Sequence, residues 1–166
     1  MIRFREATLH DLPVIVAIYN TTIAGRMVTA DTEPITVESR IKWFEDHSPA
    51  ARPLWMVEDE SGEAVGWVSI RSFYGRPAYK ATTEIAIYLK PECRGRGVGK
   101  IVLQEAIERC RTLGIKTLLG FIFAHNEPSL KLFKQYGFEQ WALLPDVAEL
   151  DGIQRSLVIL GKRIAD

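Results

Sequence analysis

Seven consecutive residues, Arg94-Gly95-Arg96-Gly97-Val98-Gly99-Lys100, join a segment that reads as a strand to one that reads as a helix. Glycines there let the backbone come close to a ligand. The free N–H groups and positive dipole end of a following helix suit a phosphate. Arg94, Arg96 and Lys100 add side-chain charge. Spacing separates the known nucleotide motifs. A P-loop needs a glycine where Arg94 stands, and Ser or Thr where Ile101 stands. A dinucleotide fingerprint needs its third glycine at Lys100, and an acidic residue where the chain has Ala124 and His125. Both fail. A solvated turn would need neither alternating glycines nor clustered cations, so the loop reads as a phosphate site of another kind.

Just before it, Glu84 interrupts Thr82–Leu89, a run rich in β-branched and aromatic residues from which glutamate is usually depleted. Alternation puts Glu84 on one face with Thr82, Ala86 and Tyr88, and Thr83, Ile85, Ile87 and Leu89 on the other. A glutamate in solvent at a strand end would do no chemistry. A partly buried one has a raised pKa and becomes a better base near neutral pH. Asn126 suits a helix cap. Arg76 reads either as a surface cation or as a partner for a planar or phosphate-like anion. Cys93 lies beside Arg94 but has no neighbouring His, and Cys110 falls on the apolar side of a helix, so both read as structural.

The elements that must position these residues fit one domain, residues 1–166. The chain is 47% hydrophobic and 25% charged, with Lys+Arg and Asp+Glu both at 21. That balance favours a small-molecule partner over nucleic acid and leaves self-association open. Met1–Glu6 carries charge where a signal peptide needs an apolar stretch, and no run is long enough to span a membrane. A cytoplasmic location is therefore expected. Two cysteines are too few for a disulfide framework or a zinc site, and no metal is expected.

Ile2–Arg5 alternates as a strand. A helix is expected to about Thr22, with Leu12, Ile15, Val16 and Tyr19 on one face and Thr8 or Asp11 as its cap. Pro13 favours Asp11. Thr36 is expected to cap a second helix whose Ile41 and Phe44 face inward. Leu54–Glu58 and Glu63–Phe73 flank the turn Asp59–Gly62 as a hairpin. Tyr74–Lys80 is a loop, and Thr82–Leu89 the next strand. A helix to about Leu113, a strand Lys116–Phe123, a helix Pro128–Tyr136, and strands Phe138–Leu144 and Gln154–Ile164 follow. Hairpins mixed with strand–helix–strand units predict an α+β fold around one sheet.

Arg94-x-x-Gly97-x-Gly99 resembles the coenzyme A pyrophosphate loop of the GNAT N-acetyltransferase superfamily. Thr83–Tyr88 resembles the acetyl-CoA-contacting strand before that loop. His125–Ser129 resembles the Asn-x-x-Ser segment that holds the pantetheine arm, and Leu132–Phe138 matches the helix-Gly-Phe ending. Ile18–Asn20, Thr29–Pro34 and Phe73–Tyr79 are similar to the phosphinothricin acetyltransferase branch, so the likeness spans nearly the whole chain.

The resemblance implies a mixed, mostly antiparallel sheet with helices on both faces, and acetyl-CoA as co-substrate. It implies that the backbone of Ile85, Ala86 and Ile87 meets the pantetheine and thioester, an oxyanion-type role. Arg94 to Lys100, including Gly95, Arg96, Gly97, Val98 and Gly99, would hold the pyrophosphate, with Asn126 and Ser129 on the pantetheine. Glu84 would be the general base, and Glu33, Arg76 and Tyr79 would face the substrate. A homodimer is also implied. Phe133 departs from the family, where Tyr or His at that position is the proposed acid for the leaving thiolate. The acceptor is expected to be a small amino-acid-like amine, such as phosphinothricin or methionine sulfoximine. The alternatives are a protein N-terminus or lysine, or a non-catalytic coenzyme A sensor.

Overall fold

Leu54–Glu58 is apolar at nearly every position because both faces of that strand are covered. Trp55 and Val57 enter one core, while Leu54 and Met56 enter the other. The computed structural model describes residues 1–166. Its elements are β1 (Arg3–Glu6), α1 (Leu12–Asn20), α2 (Ile41–Glu45), β2 (Leu54–Glu58), β3 (Ala64–Ser72) and β4 (Thr82–Leu89). They continue with α3 (Val98–Arg111), β5 (Thr117–Phe123), α4 (Glu127–Gln135), β6 (Glu139–Leu150) and β7 (Ile153–Arg163). The seven strands form one sheet in the order β1-β2-β3-β4-β5-β7-β6. Only β4 and β5 run parallel, as the α3 crossover between them requires.

Helices cover both faces, as expected of this α+β class. On one face, Leu12, Ile15 and Ile18 of α1 pack on Leu54, Met56 and Trp67, with Trp43 and Phe44 of α2 alongside. On the other, Val102, Leu103, Ala106 and Cys110 of α3, with Phe133 of α4, pack on Val68, Ile70, Ile85 and Leu118. The helical spacing read in α3 is the spacing of its buried stripe.

Four local expectations are corrected. Asp11 does not cap α1 with its side chain. Its carboxylate accepts from the Thr8 N–H at 2.7 Å and from the Arg5 guanidinium at 2.9 and 3.0 Å, closing a 3-10 turn ahead of the helix. The helix stops at Asn20 rather than Thr22, where the Thr21 and Thr22 hydroxyls donate back to the Ile18 and Tyr19 carbonyls. Ile41 is 38% exposed, and Trp43 turns inward beside Phe44 because α2 is a single short turn. Strand β6 passes Leu144 and runs to Leu150. Pro145-Asp146 makes a bulge there, and the Asp146 N–H donates to Ser156 Oγ at 3.0 Å. Thr36 does cap the turn before α2, accepting from the Ser39 N–H at 3.2 Å.

Gly66 is opposite Leu89 at the far end of β4. A Cβ at Gly66 would stand 2.4 Å from the Tyr88 carbonyl oxygen and 2.6 Å from Leu89 Cδ2. Backbone cannot yield as a flexible side chain does. Gly66→Ala is therefore expected to destabilise the fold by about 1–3 kcal/mol, the usual cost of overpacking. Urea denaturation checks this, and an unchanged midpoint would contradict the close β3–β4 approach.

Candidate active site

The parallel pairing of β4 with β5 lasts only from Thr82–Thr117 to Glu84–Leu119, and then the strands part. Which backbone groups face the gap follows from the opposite edge. The Lys90 N–H donates to the Val65 carbonyl at 2.9 Å, so that pair is a hydrogen-bonded one. Antiparallel pairs alternate, so Tyr88, Ala86 and Glu84 direct their backbone groups to β3. Ile85, Ile87 and Leu89 direct theirs toward β5, and only beyond Ile85 do they open on the gap. Leu89 confirms the phase, because its carbonyl accepts from Arg94 at 3.2 Å. Of the three residues expected to offer backbone, Ile87 faces the opening, Ile85 spends its N–H on the last ladder bond to the Leu119 carbonyl, and Ala86 faces away.

A cavity of about 350 Å³ continues from the gap, lined by Ile87, Leu89, Arg94, Gly95, Gly99, Asn126, Ser129 and Phe133. Gly95 and Gly97 hold φ of +73° and +78°, the left-handed region, and Gly97 is the N-cap of α3. The exposed loop thereby aims the first N–H groups of a 14-residue helix outward. Arg96 and Lys100 are exposed beside it, while Val98 leans on the core. Asn126 is buried, and its side-chain oxygen accepts from the Ser129 N–H at 3.4 Å, capping α4. Unpaired strand donors, a cleft and an anion-suited loop in sequence fit a long ligand with a pyrophosphate at one end, as acetyl-CoA has.

Glu84 opens on the other face of β4, into a second cavity of about 160 Å³. Its walls are the aromatic rings of Tyr19, Trp43, Trp67 and Tyr88, with Arg40, Ser69 and Arg71 as polar members. Tyr88 lines both cavities, its ring stacked on Trp67 at 4.5 Å between centroids. Burial raises the Glu84 pKa, and the charge of Arg71, its cross-strand partner, opposes that rise. Arg40 lies over the Tyr19 ring and pairs with Asp31 at 3.2 Å. The Tyr19 hydroxyl donates to Asp31 and also contacts Thr29, which braces the cavity's upper wall.

The expected substrate residues do not gather here. Arg76 and Tyr79 line a separate surface hollow with Arg52, Ser72 and Lys80, and Glu33 is exposed on the loop before α2. Arg40 and Arg71 occupy the cavity instead. Arg71 escaped the sequence reading because only the β3–β4 register brings it opposite Glu84. Phe133 is buried, edge-on to Phe138 at 5.0 Å, and its ring crowds Gly120. It is a wall of the cleft and carries no proton. The Cys110 thiol is buried in the core and pushed up to about 12, which leaves it inert.

The model of the acetyltransferase (GNAT) family matches residues 12–138. A Bacillus subtilis protein named "Putative phosphinothricin acetyltransferase YwnH" is 53% identical over 161 residues, covering 97% of this chain and 98% of that one. The L-methionine sulfoximine/L-methionine sulfone acetyltransferase of Pseudomonas aeruginosa is 30% identical over 148 residues, covering 89% of this chain and 86% of that one. Among solved structures, a GNAT superfamily phosphinothricin acetyltransferase from Sinorhizobium meliloti, in complex with acetyl-CoA, superposes with a TM-score of 0.91. It is 27% identical, over 99% of this chain and 89% of that one.

An added side chain at Gly97 would meet nothing within 4 Å, so its constraint is conformational rather than steric. A valine there disfavours the left-handed region by about 1–2 kcal/mol. Gly97→Val is expected to weaken acetyl-CoA binding about tenfold as the loop relaxes. Calorimetry on the folded variant checks this, and unchanged affinity would remove Gly97 from the site.

Proposed function

The chain belongs to the GNAT acetyltransferase family, and we propose that it N-acetylates a small amino-acid-like amine of the phosphinothricin or methionine sulfoximine type, with Glu84 as general base. The observation that carries this reading is the position of Glu84. It is a half-buried carboxylate with a raised pKa, in an aromatic cavity that shares Tyr88 with the cleft beyond the strand gap. The names of the Bacillus and Pseudomonas relatives support the substrate class.

Bound acetyl-CoA would supply a thioester carbonyl, activated for attack by an amine. Ile87 would direct its backbone N–H toward the oxygen on which charge develops, an arrangement that costs no reorganisation during the reaction. Gly95 to Gly99, with Arg94, Arg96 and Lys100, would hold the pyrophosphate. Asn126 and Ser129 would line the pantetheine arm. Glu84 would take a proton from the substrate ammonium, directly or through water. Arg71 and Arg40 would face a carboxylate or phosphinate of the substrate. The thiolate would leave without an acid from Phe133, since a thiol is far more acidic than an alcohol.

The same reading extends to assembly and location. A homodimer accords with a net charge of zero and with Tyr74 and Tyr79 exposed at 76% and 42% on the loop before β4. A second copy seated there would cover Arg76 and Tyr79. A cytoplasmic location accords with two free cysteines.

Glu84→Gln keeps the shape but accepts no proton at neutral pH. It is expected to bind acetyl-CoA normally and to lose about a hundredfold to ten-thousandfold in kcat/KM, recovering partly at alkaline pH. Near-wild-type rates at pH 7 in a thiol-release assay would make Glu84 structural.

Arg71→Ala tests the anion contact and the tuning together. KM for amino-acid substrates should rise about tenfold to a hundredfold, with little change for simple amines. Arg71 holds the Glu84 pKa down, so its removal raises that pKa further. Because the base works only when ionised, the acid limb of kcat/KM should move to higher pH. Equal KM effects on both substrate types, with an unmoved limb, would place Arg71 outside the site.

A further inference from the structure

His47 follows α2, behind the wall of the Glu84 cavity, and its ring bridges two oxygens. Nδ1 lies 2.9 Å from the Trp43 carbonyl oxygen, and Nε2 lies 2.7 Å from Ser69 Oγ. A carbonyl only accepts, so Nδ1 carries the proton and donates to it. Nε2 of the neutral ring is then a lone pair, and the Ser69 hydroxyl must donate to Nε2. Burial holds the His47 pKa below its ordinary value, and Arg71 pushes the same way. Its bonds to the Trp43 and Phe44 backbone, and the charge of Asp46, act in the opposite direction. The ring is thus neutral at physiological pH. Ser69 directs its only proton away from the cavity and keeps lone pairs free to face it.

Ser69 is 1% exposed, yet it lines the cavity together with Glu84. Ser69 is opposite Ala86, and Glu84 is opposite Arg71, so Ser69 and Glu84 are diagonal neighbours on one face of the sheet. Diagonal Cβ atoms lie about 7–8 Å apart, within reach of one donor shared by two side-chain acceptors.

We propose that Ser69 is a positioning residue for the acyl-accepting amine, its hydroxyl held by His47 as an acceptor for one N–H of the nitrogen that Glu84 deprotonates. The inference rests on the reading of Glu84 as the base of an amine pocket. One N–H bond of the ammonium breaks, and its proton goes to the Glu84 carboxylate. A second N–H stays on the nitrogen, hydrogen-bonded to Ser69. The electron pair left by the first forms the C–N bond to the thioester carbon as its C–S bond breaks, and the nitrogen's third proton leaves with the coenzyme A sulfur as a thiol. Ser69 neither gives nor takes a proton. A serine free to rotate would donate its O–H to that electron pair and blunt the nucleophile. His47 removes this option by engaging the proton.

The test compares methionine sulfone as acceptor with 4-(methylsulfonyl)butanoate, the same molecule without its amine, as a competitive ligand. Wild-type turnover is read first. If methionine sulfone releases no thiol, the substrate class fails by itself, and the variants are read with the amino acid that the wild type acetylates fastest. Ser69→Ala is expected to lower kcat/KM about tenfold to a hundredfold, while the inhibition constant of the amine-free acid and the Kd of acetyl-CoA stay unchanged. A change in pocket shape would weaken both ligands alike and would overturn the proposal. Ser69→Cys, near-isosteric but a poor acceptor, should give the same pattern and serves if the alanine variant does not fold. His47→Gln should lower kcat more than it raises KM, and should add nothing in a Ser69→Ala background. Additive losses in the double variant, or full activity in Ser69→Ala, would also overturn it.

Discussion

The parting of β4 from β5 after Glu84–Leu119 is the constraint on which the rest of the molecule depends. A sheet that opens in its middle leaves backbone donors and acceptors without partners, and such groups are expensive when they are buried away from water. Ile87 and the Ile85 carbonyl are in this position. The fold keeps the opening in contact with solvent or ligand through the cleft, and everything around it maintains the wedge. Phe133 of α4 sits against Gly120 of β5, where an added Cβ would stand 3.1 Å from the ring. Beyond the opening, β5 is paired along its other edge with β7 over its whole length, so the sheet stays continuous there. The loss of ladder bonds is confined to one edge of each strand, where a ligand can replace them.

That opening also explains why one strand serves two chemistries. Side chains on β4 alternate across the sheet, while backbone groups alternate in the plane of the sheet. The residues of β4 therefore direct main-chain polarity into the gap and the Glu84 carboxylate into a cavity under α1 and α2. A helix could not separate the two functions so closely, because its backbone groups are consumed along its own axis. Placing Glu84 three residues ahead of the free N–H at Ile87 would bring the proposed base and that donor within one strand's reach without letting them hydrogen-bond to one another.

Much of this was legible in the sequence, and what escaped has a common cause. Glu84 and the loop Arg94–Lys100 were readable because each breaks a local rule, an acid in an apolar strand and glycines alternating with cations. The α3 stripe and the β2–β3 hairpin followed from periodicity. Arg71, Ser69 and His47 obey local rules and become visible only when β3 is set against β4 in register and α2 is laid over them. Arg76 and Tyr79 were expected from the resemblance, and the loop carrying them lines a hollow apart from the Glu84 cavity. Gly75 and Tyr74, both with positive φ, turn the backbone there. The Asp11 cap failed for a related reason. A tertiary partner, Arg5, outbid the helix N-terminus for the carboxylate.

The charge distribution fits the same division. The cations of the glycine loop are solvent-exposed, so they attract an anion without perturbing the core. Arg71 works differently because it faces a half-buried carboxylate across a strand pair. It offsets part of the burial that raises the Glu84 pKa, which favours the ionised form that the proposed base role needs. Burial alone would push Glu84 toward the protonated form, and exposure alone would leave it too weak a base. The aromatic walls supply the first influence and Arg71 the second, and their balance on one carboxylate is set by the β3–β4 register.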